Sequence, residues 1–94
     1  IGNSYGTPIL AADGGTVTYA GWMSGYSYLI IIDHGNGYET YYGHNSSLVA
    51  SVGEKVYKGQ QVARMGSTGI SSGNHCHFGV KKNGTFVNPL NYLP

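Results

Sequence analysis

Two histidines separated by a single residue are the part of this sequence best suited to chemistry. His75 and His77 lie in the segment Gly73–Val80, "GNHCHFGV", with Cys76 between them. On a β-strand, side chains two positions apart leave the same face, about 6.6 Å apart along the strand. Both imidazoles would then reach one small site, where they could bind a metal ion or transfer protons. Cys76 would face the other way, as a small buried filler and not as a nucleophile.

The spacing of this pair is a weak signal by itself, because alternating polar residues are also typical of the wet face of a half-buried strand. Two further observations favour a functional site. Histidine occupies four of the 94 positions. The preceding segment, Met65–Asn74, reads "MGSTGISSGN", and its glycines and serines would let a ligand approach the backbone closely.

The remaining histidines carry different expectations. His44, in "YYGHNSS", ends a predicted strand at the edge of a loop, where catalytic groups are often placed; the alternative is a surface histidine that caps a turn. His34 lies beside an Asn-Gly dipeptide and is interpreted as a turn residue. No pair of acidic residues has the spacing of a carboxylate dyad, and no serine lies in a nucleophile-elbow context.

Short β-branched and aromatic runs separated by glycines indicate the elements that position these residues. They predict an all-β fold, an antiparallel sheet with no helix of sustained period. The predicted strands lie within Thr7–Ala12, Gly15–Trp22, Tyr28–Gly35, Tyr38–Asn45, Gly53–Gly66 and Asn74–Val87.

Three dipeptides, Asp13-Gly14, Asn36-Gly37 and Asn83-Gly84, predict two-residue hairpin turns. The segment Asn45–Gly53, "NSSLVASVG", lacks alternation and predicts a loop or a short turn of helix.

Composition narrows the possible functions. Five basic and four acidic residues give a net charge of +1 without a basic stripe, which argues against a nucleic-acid partner. No apolar run approaches the length of a membrane span, so membrane insertion is not expected. One cysteine excludes a disulfide scaffold and a cysteine-rich zinc site. Low charge with nine tyrosines and 16 glycines suits a neutral polymer such as a glycan or a glycine-rich peptide.

Four segments in order resemble the lysostaphin-type (LytM-like) zinc metalloendopeptidases of bacterial cell walls, from Tyr5 to Leu93. They are "YGTPILAADGGTVTYAGW", "IIIDHGNGYETYYGHNSSL", "VGEKVYKGQQVARMGSTGISSGNHCHF" and "NPLNYL". The resemblance implies a sheet folded into a groove that holds one zinc ion (Zn²⁺), with His77 as a zinc ligand and His44 and His75 as catalytic residues. It also implies an extracytoplasmic enzyme that cleaves peptidoglycan stem peptides or cross-bridges, often at glycine.

Two departures from the family pattern modify this expectation. The family's H-x-x-x-D motif would end immediately before Ile1, so residues 1–94 are expected to form a single peptidase-like domain that lacks this segment. We therefore expect the 94-residue chain to bind zinc weakly, to hydrolyse little peptidoglycan, and to self-associate through an exposed sheet edge. Gly79 stands where the family commonly carries an acidic residue.

Two other interpretations remain open. One is a non-catalytic domain of the same fold that binds peptidoglycan or regulates other wall enzymes. The other is a β-rich module that binds a glycan or a partner and in which the histidines are incidental.

Overall fold

The computed structural model describes residues 8–65 and 77–87, and none of these residues lies in a helix. The predicted all-β class is confirmed, and every strand pair is antiparallel. Within these two ranges there is accordingly no helix of the length and apolarity needed to cross a membrane. The strands are β1 (Pro8–Leu10), β2 (Gly15–Met23), β3 (Ser27–Gly35), β4 (Tyr38–Leu48), β5 (Lys55–Val56), β6 (Gln61–Met65), β7 (His77–Lys82) and β8 (Thr85–Val87).

Strand β4 organises the sheet because it has two successive partners along one of its sides. The strand order is β1-β6-β4-β3-β2-β5, while β7 pairs with β4 and β8. On one side β4 pairs with β3. On the other side it pairs with β7 over Tyr38–Gly43 and then with β6 over Asn45–Leu48. The sheet therefore forks at His44, the residue between these two stretches.

The hydrophobic core lies on one face of the sheet, and β3 is covered on both faces. Ile30 and Ile32 belong to the main core, whereas Leu29 and Ile31, whose side chains alternate to the other face, are also buried. This explains why β3 reads as a continuous apolar run. The core cluster consists of Ile9, Ala11, Val17, Ile30, Ile32, Tyr42, Ala50, Val56, Val62, Ala63 and Met65.

Two of the three predicted hairpin turns are confirmed. Asn36-Gly37 joins β3 to β4, Asn83-Gly84 joins β7 to β8, and all four residues have positive φ, as a type I′ turn requires. The third prediction is wrong. Asp13-Gly14 does not close a hairpin, because β1 pairs with β6 and not with β2.

The predicted loop over Asn45–Gly53 is wrong in its first part, because β4 continues to Leu48. Asn45 and the two serines after it are residues typical of turns, yet this stretch pairs with β6. Tertiary pairing overrides local preference here.

Candidate active site

The structure places the three predicted site histidines as follows. His44 lies on β4 at the fork of the sheet. His77 is the first residue of β7, and its backbone pairs with Gly43 directly beside His44. His75 and the imidazole of His77 lie outside what the structure describes. The fork thus brings His44 next to the backbone at which the predicted histidine pair ends.

His44 is an extra residue in its strand. Tyr28 of β3 pairs with Asn45 and Ile30 pairs with Tyr42, so three steps along β4 oppose two along β3. His44 has φ 60°, in the left-handed region that residues with a side chain seldom occupy. Such a conformation costs about 1–3 kcal/mol, and β-bulges of this kind redirect side chains beside active sites.

The side chain of Asn45 holds this bulge in place. Asn45 is fully buried, and its Nδ2 donates to the carbonyl of Tyr42 at 2.8 Å and to that of Tyr28 at 3.1 Å. These two bonds tie the residues on both sides of His44 to each other and to β3. Sequence reasoning read Asn45 only as a turn residue, and no local pattern marks its buried amide.

The tip of the β2–β3 hairpin packs against the same bulge. The backbone N–H of His44 donates to the carbonyl of Tyr26 at 2.6 Å. A Cβ at Gly43 would lie 3.0 Å from the ring of Tyr26, which explains the glycine before the histidine. The hairpin tip therefore forms one wall beside His44.

His34 has a different environment, and its interpretation as a turn residue is corrected. It lies within β3, with Nδ1 2.7 Å from the carbonyl of Gly14 and Nε2 2.6 Å from the hydroxyl of Thr40. The Thr40 hydroxyl lies 2.7 Å from that of Tyr42, to which the N–H of Ala12 donates at 2.9 Å.

These groups form one chain of hydrogen bonds. A carbonyl can only accept, so Nδ1 of His34 carries a proton and donates it to Gly14. The hydrogen bonds between Nε2 and Thr40 and between Thr40 and Tyr42 continue the chain. His34 therefore ties β3 and β4 to the segment before β2. Its role is structural.

An aromatic and cationic surface continues from the fork along β4 and β7; we call Tyr26, Tyr41, Lys81 and Phe86 the Tyr41 ledge. The Lys81 ammonium donates to the Tyr41 hydroxyl at 3.2 Å and lies 5.3 and 4.9 Å from the ring centroids of Tyr41 and Phe86. These two rings meet edge to face at 5.0 Å, and those of Tyr26 and Tyr41 lie 6.1 Å apart.

Gly79 lies beneath the Tyr41 ledge and allows it to form. A Cβ at this position would lie 3.3 Å from the Phe86 ring, closer than an ordinary contact. The hydrogen bond to Tyr41, followed by weaker charge interactions that include Glu39, raises the pKa of Lys81. Lys81 thus remains an ammonium at neutral pH.

The described residues contain no complete metal site. Within 8–65 and 77–87, no group of three or more histidine, cysteine, aspartate or glutamate side chains is placed to hold a metal ion. A catalytic zinc takes three protein ligands. The predicted ligand at His77 belongs to the side chains that are not described, so the zinc prediction stays a prediction.

Comparisons with known proteins agree with this architecture. Over 95 aligned residues, the chain is 44% identical to the murein hydrolase activator NlpD of Escherichia coli, covering 100% of this chain and 25% of that protein. The chain spans no more than 32% of the length of several curated relatives.

Solved structures of peptidases superpose on this fold. The catalytic domain of the antimicrobial peptidase lysostaphin from Staphylococcus simulans superposes with a TM-score of 0.88 at 30% identity, over 96% of this chain and 72% of that one. A zinc-containing peptidase from Vibrio cholerae superposes with a TM-score of 0.90 at 28% identity, over 98% of this chain and 29% of that one. The model of peptidase family M23 matches residues 1–89, and the chain belongs to this family.

Proposed function

We propose that this chain is the peptidase domain of a zinc-dependent endopeptidase that cleaves peptide bonds of bacterial peptidoglycan outside the cytoplasm. The observation that carries the proposal is the left-handed bulge that holds His44 beside the start of β7. Three groups stabilise this costly backbone: the Asn45 amide, the Tyr26 carbonyl and the close packing at Gly43. A strained backbone that its surroundings hold in place in this way is typical of functional sites.

His44 and His75 are proposed as the catalytic residues and His77 as a zinc ligand. Imidazole nitrogen is a common zinc ligand, so the residue types fit the metal. When bound, zinc supplies a Lewis acid and a water molecule of lowered pKa. A neutral imidazole at His44 would accept a proton from the attacking water, and the imidazolium so formed would donate that proton to the leaving amine; alternatively its N–H would donate a hydrogen bond to the developing oxyanion. The assignment of these two roles between His44 and His75 stays open.

Peptidoglycan peptide is the proposed substrate, as a stem peptide or a cross-bridge that includes glycine. Membership of family M23 and the likeness to the lysostaphin catalytic domain support a peptidase. The names of relatives, which include lipoproteins and murein hydrolase activators, support a location in the cell envelope.

The test is cleavage by the full-length protein supplied with zinc. Purified peptidoglycan is incubated with it, and soluble products are analysed by mass spectrometry for new peptide termini. We expect termini that disappear with a chelator and in the variants His44→Ala and His77→Ala. Tyr57→Ser, at a position that is 71% exposed, should cleave normally. Absence of new termini from the folded, zinc-supplied protein would contradict the proposal.

A second candidate is a non-catalytic domain that regulates wall hydrolases, favoured by the identity to the E. coli activator. This domain would bind peptidoglycan or another hydrolase without cleaving. The test adds the chain to a murein hydrolase and follows the release of peptidoglycan fragments. Stimulation that persists in His44→Ala, without new termini from the chain alone, would favour this candidate over the first.

A further inference from the structure

The ammonium of Lys81 is held in position while part of its hydrogen-bonding capacity is not used by the described residues. Its side chain is half-buried while the ammonium faces solvent. Within the part of the chain that the structure describes, one of its three N–H donors is used, on the Tyr41 hydroxyl. The rings of Tyr41 and Phe86 fix its position from two sides. An ordered cation of this kind loses less side-chain entropy on binding an anion than a free lysine does.

The surroundings of this ammonium suit a carboxylate. Phe86 is 49% exposed, and the edge of an aromatic ring carries positive potential that favours a negative group beside it. Glu39, opposite Lys81 in the β4–β7 register, is the acidic group that opposes such binding. A ligand carboxylate must therefore contact the ammonium directly to compete with the Glu39 charge.

The Tyr41 ledge also lies at a defined distance from the fork. Lys81 is four positions after His77, so the two are about 13 Å apart along β7. The rise per residue of an extended peptide is similar to that of a β-strand. A peptide that lies along the sheet from His44 would therefore reach Lys81 with a group about four residues away.

We infer that the Tyr41 ledge binds a free carboxylate of the peptide ligand, about four residues from the bond that lies at His44. This inference rests on the proposed peptide-binding function, because it assumes that the peptide passes His44. It adds a specificity element: the chain distinguishes peptides that carry a carboxylate at this distance from those in which it is amidated.

The experiment measures binding and not cleavage. The probes are two synthetic alanine pentapeptides, one with a free carboxyl terminus and one amidated, titrated into the full chain and followed by amide NMR signals. We expect the acid to bind about threefold to fivefold more tightly than the amide, as for an exposed ion pair. The acid should perturb signals at both Gly79–Lys81 and Gly43–His44, whereas dialanine should perturb only the first group.

Neighbouring lysines provide a matched control. Lys81→Met should abolish the preference for the acid, and Lys81→Arg should retain it. Lys82→Met should leave it unchanged, because Lys82 lies over Tyr38 instead, 5.2 Å from that ring centroid. Equal affinity for the acid and the amide, or an equal loss of the preference for the acid in Lys82→Met, would overturn the inference. If only Phe86→Leu then weakened binding, the Tyr41 ledge would be an aromatic surface and not a carboxylate site.

Cleavage and binding fail separately in this design. If the chain prefers the acid through Lys81 but cleaves nothing, the carboxylate site is supported and the endopeptidase proposal is contradicted. If the chain cleaves peptidoglycan without any preference for the acid, the endopeptidase proposal is supported and the carboxylate site is contradicted.

Discussion

His34 and His44 lie on neighbouring strands, and their surroundings differ in a way that separates a structural histidine from a candidate catalytic one. His34 also lies at a register shift of its strand, between Asp33 and Gly35, but its φ is not positive, and both of its ring nitrogens are in hydrogen bonds, to Gly14 and Thr40. His44 lies in a bulge with φ 60°, held by bonds from neighbouring groups to the backbone around it.

The comparison teaches where the stabilising interactions act. At His34 the imidazole itself connects three segments, so the fold depends on the side chain. At His44 the backbone and Asn45 make bonds that hold the bulge, and these bonds do not require an imidazole at position 44. A residue whose unfavourable backbone is maintained by its neighbours is the stronger candidate for function.

The largest expected effect is on activity at His44. His44→Ala should lower the rate of peptidoglycan cleavage about 10²- to 10⁴-fold, the usual contribution of a group that transfers protons. The melting temperature should change little, because the Asn45 and Tyr26 bonds that hold the bulge remain in this variant. Rates are measured from the release of soluble peptides under excess substrate. A variant that cleaves at more than a tenth of the wild-type rate would show that His44 is not a catalytic residue.

The next effect is on stability at Asn45. Asn45→Asp replaces two donated hydrogen bonds by a buried carboxylate that faces two carbonyls, and should lower the free energy of unfolding by about 3 kcal/mol. Urea denaturation at neutral pH measures this loss. Asn36→Asp, at an exposed turn position with a similar φ of 53°, is the matched control and should change stability little. Equal losses at the two positions would show that the Asn45 bonds do not stabilise the bulge.

Local signals in the sequence predicted much of this fold and only part of its candidate site. The hairpin at Asn36-Gly37 and the strands beside it follow from turn chemistry and alternation, which act within a few residues. The contact of His34 with Gly14 joins positions 20 residues apart, and the pairing of β1 with β6 spans more. Neither leaves a local pattern. The family resemblance selected His44, but its bulge coincides with the change of partner along β4, which no local sequence pattern displays.

A smaller effect tests the His34 network through neighbouring tyrosines on β4. Tyr42→Phe removes the hydroxyl between Thr40 and Ala12 and leaves the partly buried N–H of Ala12 without this acceptor, which should cost about 1–2 kcal/mol. Tyr41→Phe removes a hydroxyl that binds the exposed Lys81 ammonium and should cost little. Thermal or urea unfolding compares the two directly. Similar losses would mean that the network contributes no more than a surface hydrogen bond.

The smallest expected effect is the difference in stability between the alanine and glycine variants at each histidine. Its sign should differ between positions 44 and 34, which gives the sharpest contrast between the two residues. Alanine and glycine at position 44 both remove the imidazole and differ only in a Cβ. In the left-handed region this Cβ costs about 1–2 kcal/mol, which exceeds the 0.5–1 kcal/mol that glycine loses in backbone entropy, so His44→Gly should be more stable than His44→Ala. At position 34, where φ is not positive, a Cβ costs nothing extra, only the entropy remains and alanine should be the more stable. Urea unfolding of the four variants gives both differences. The same sign at both positions would show that the His44 backbone is not strained in solution, and the structural argument for its function would fail with it.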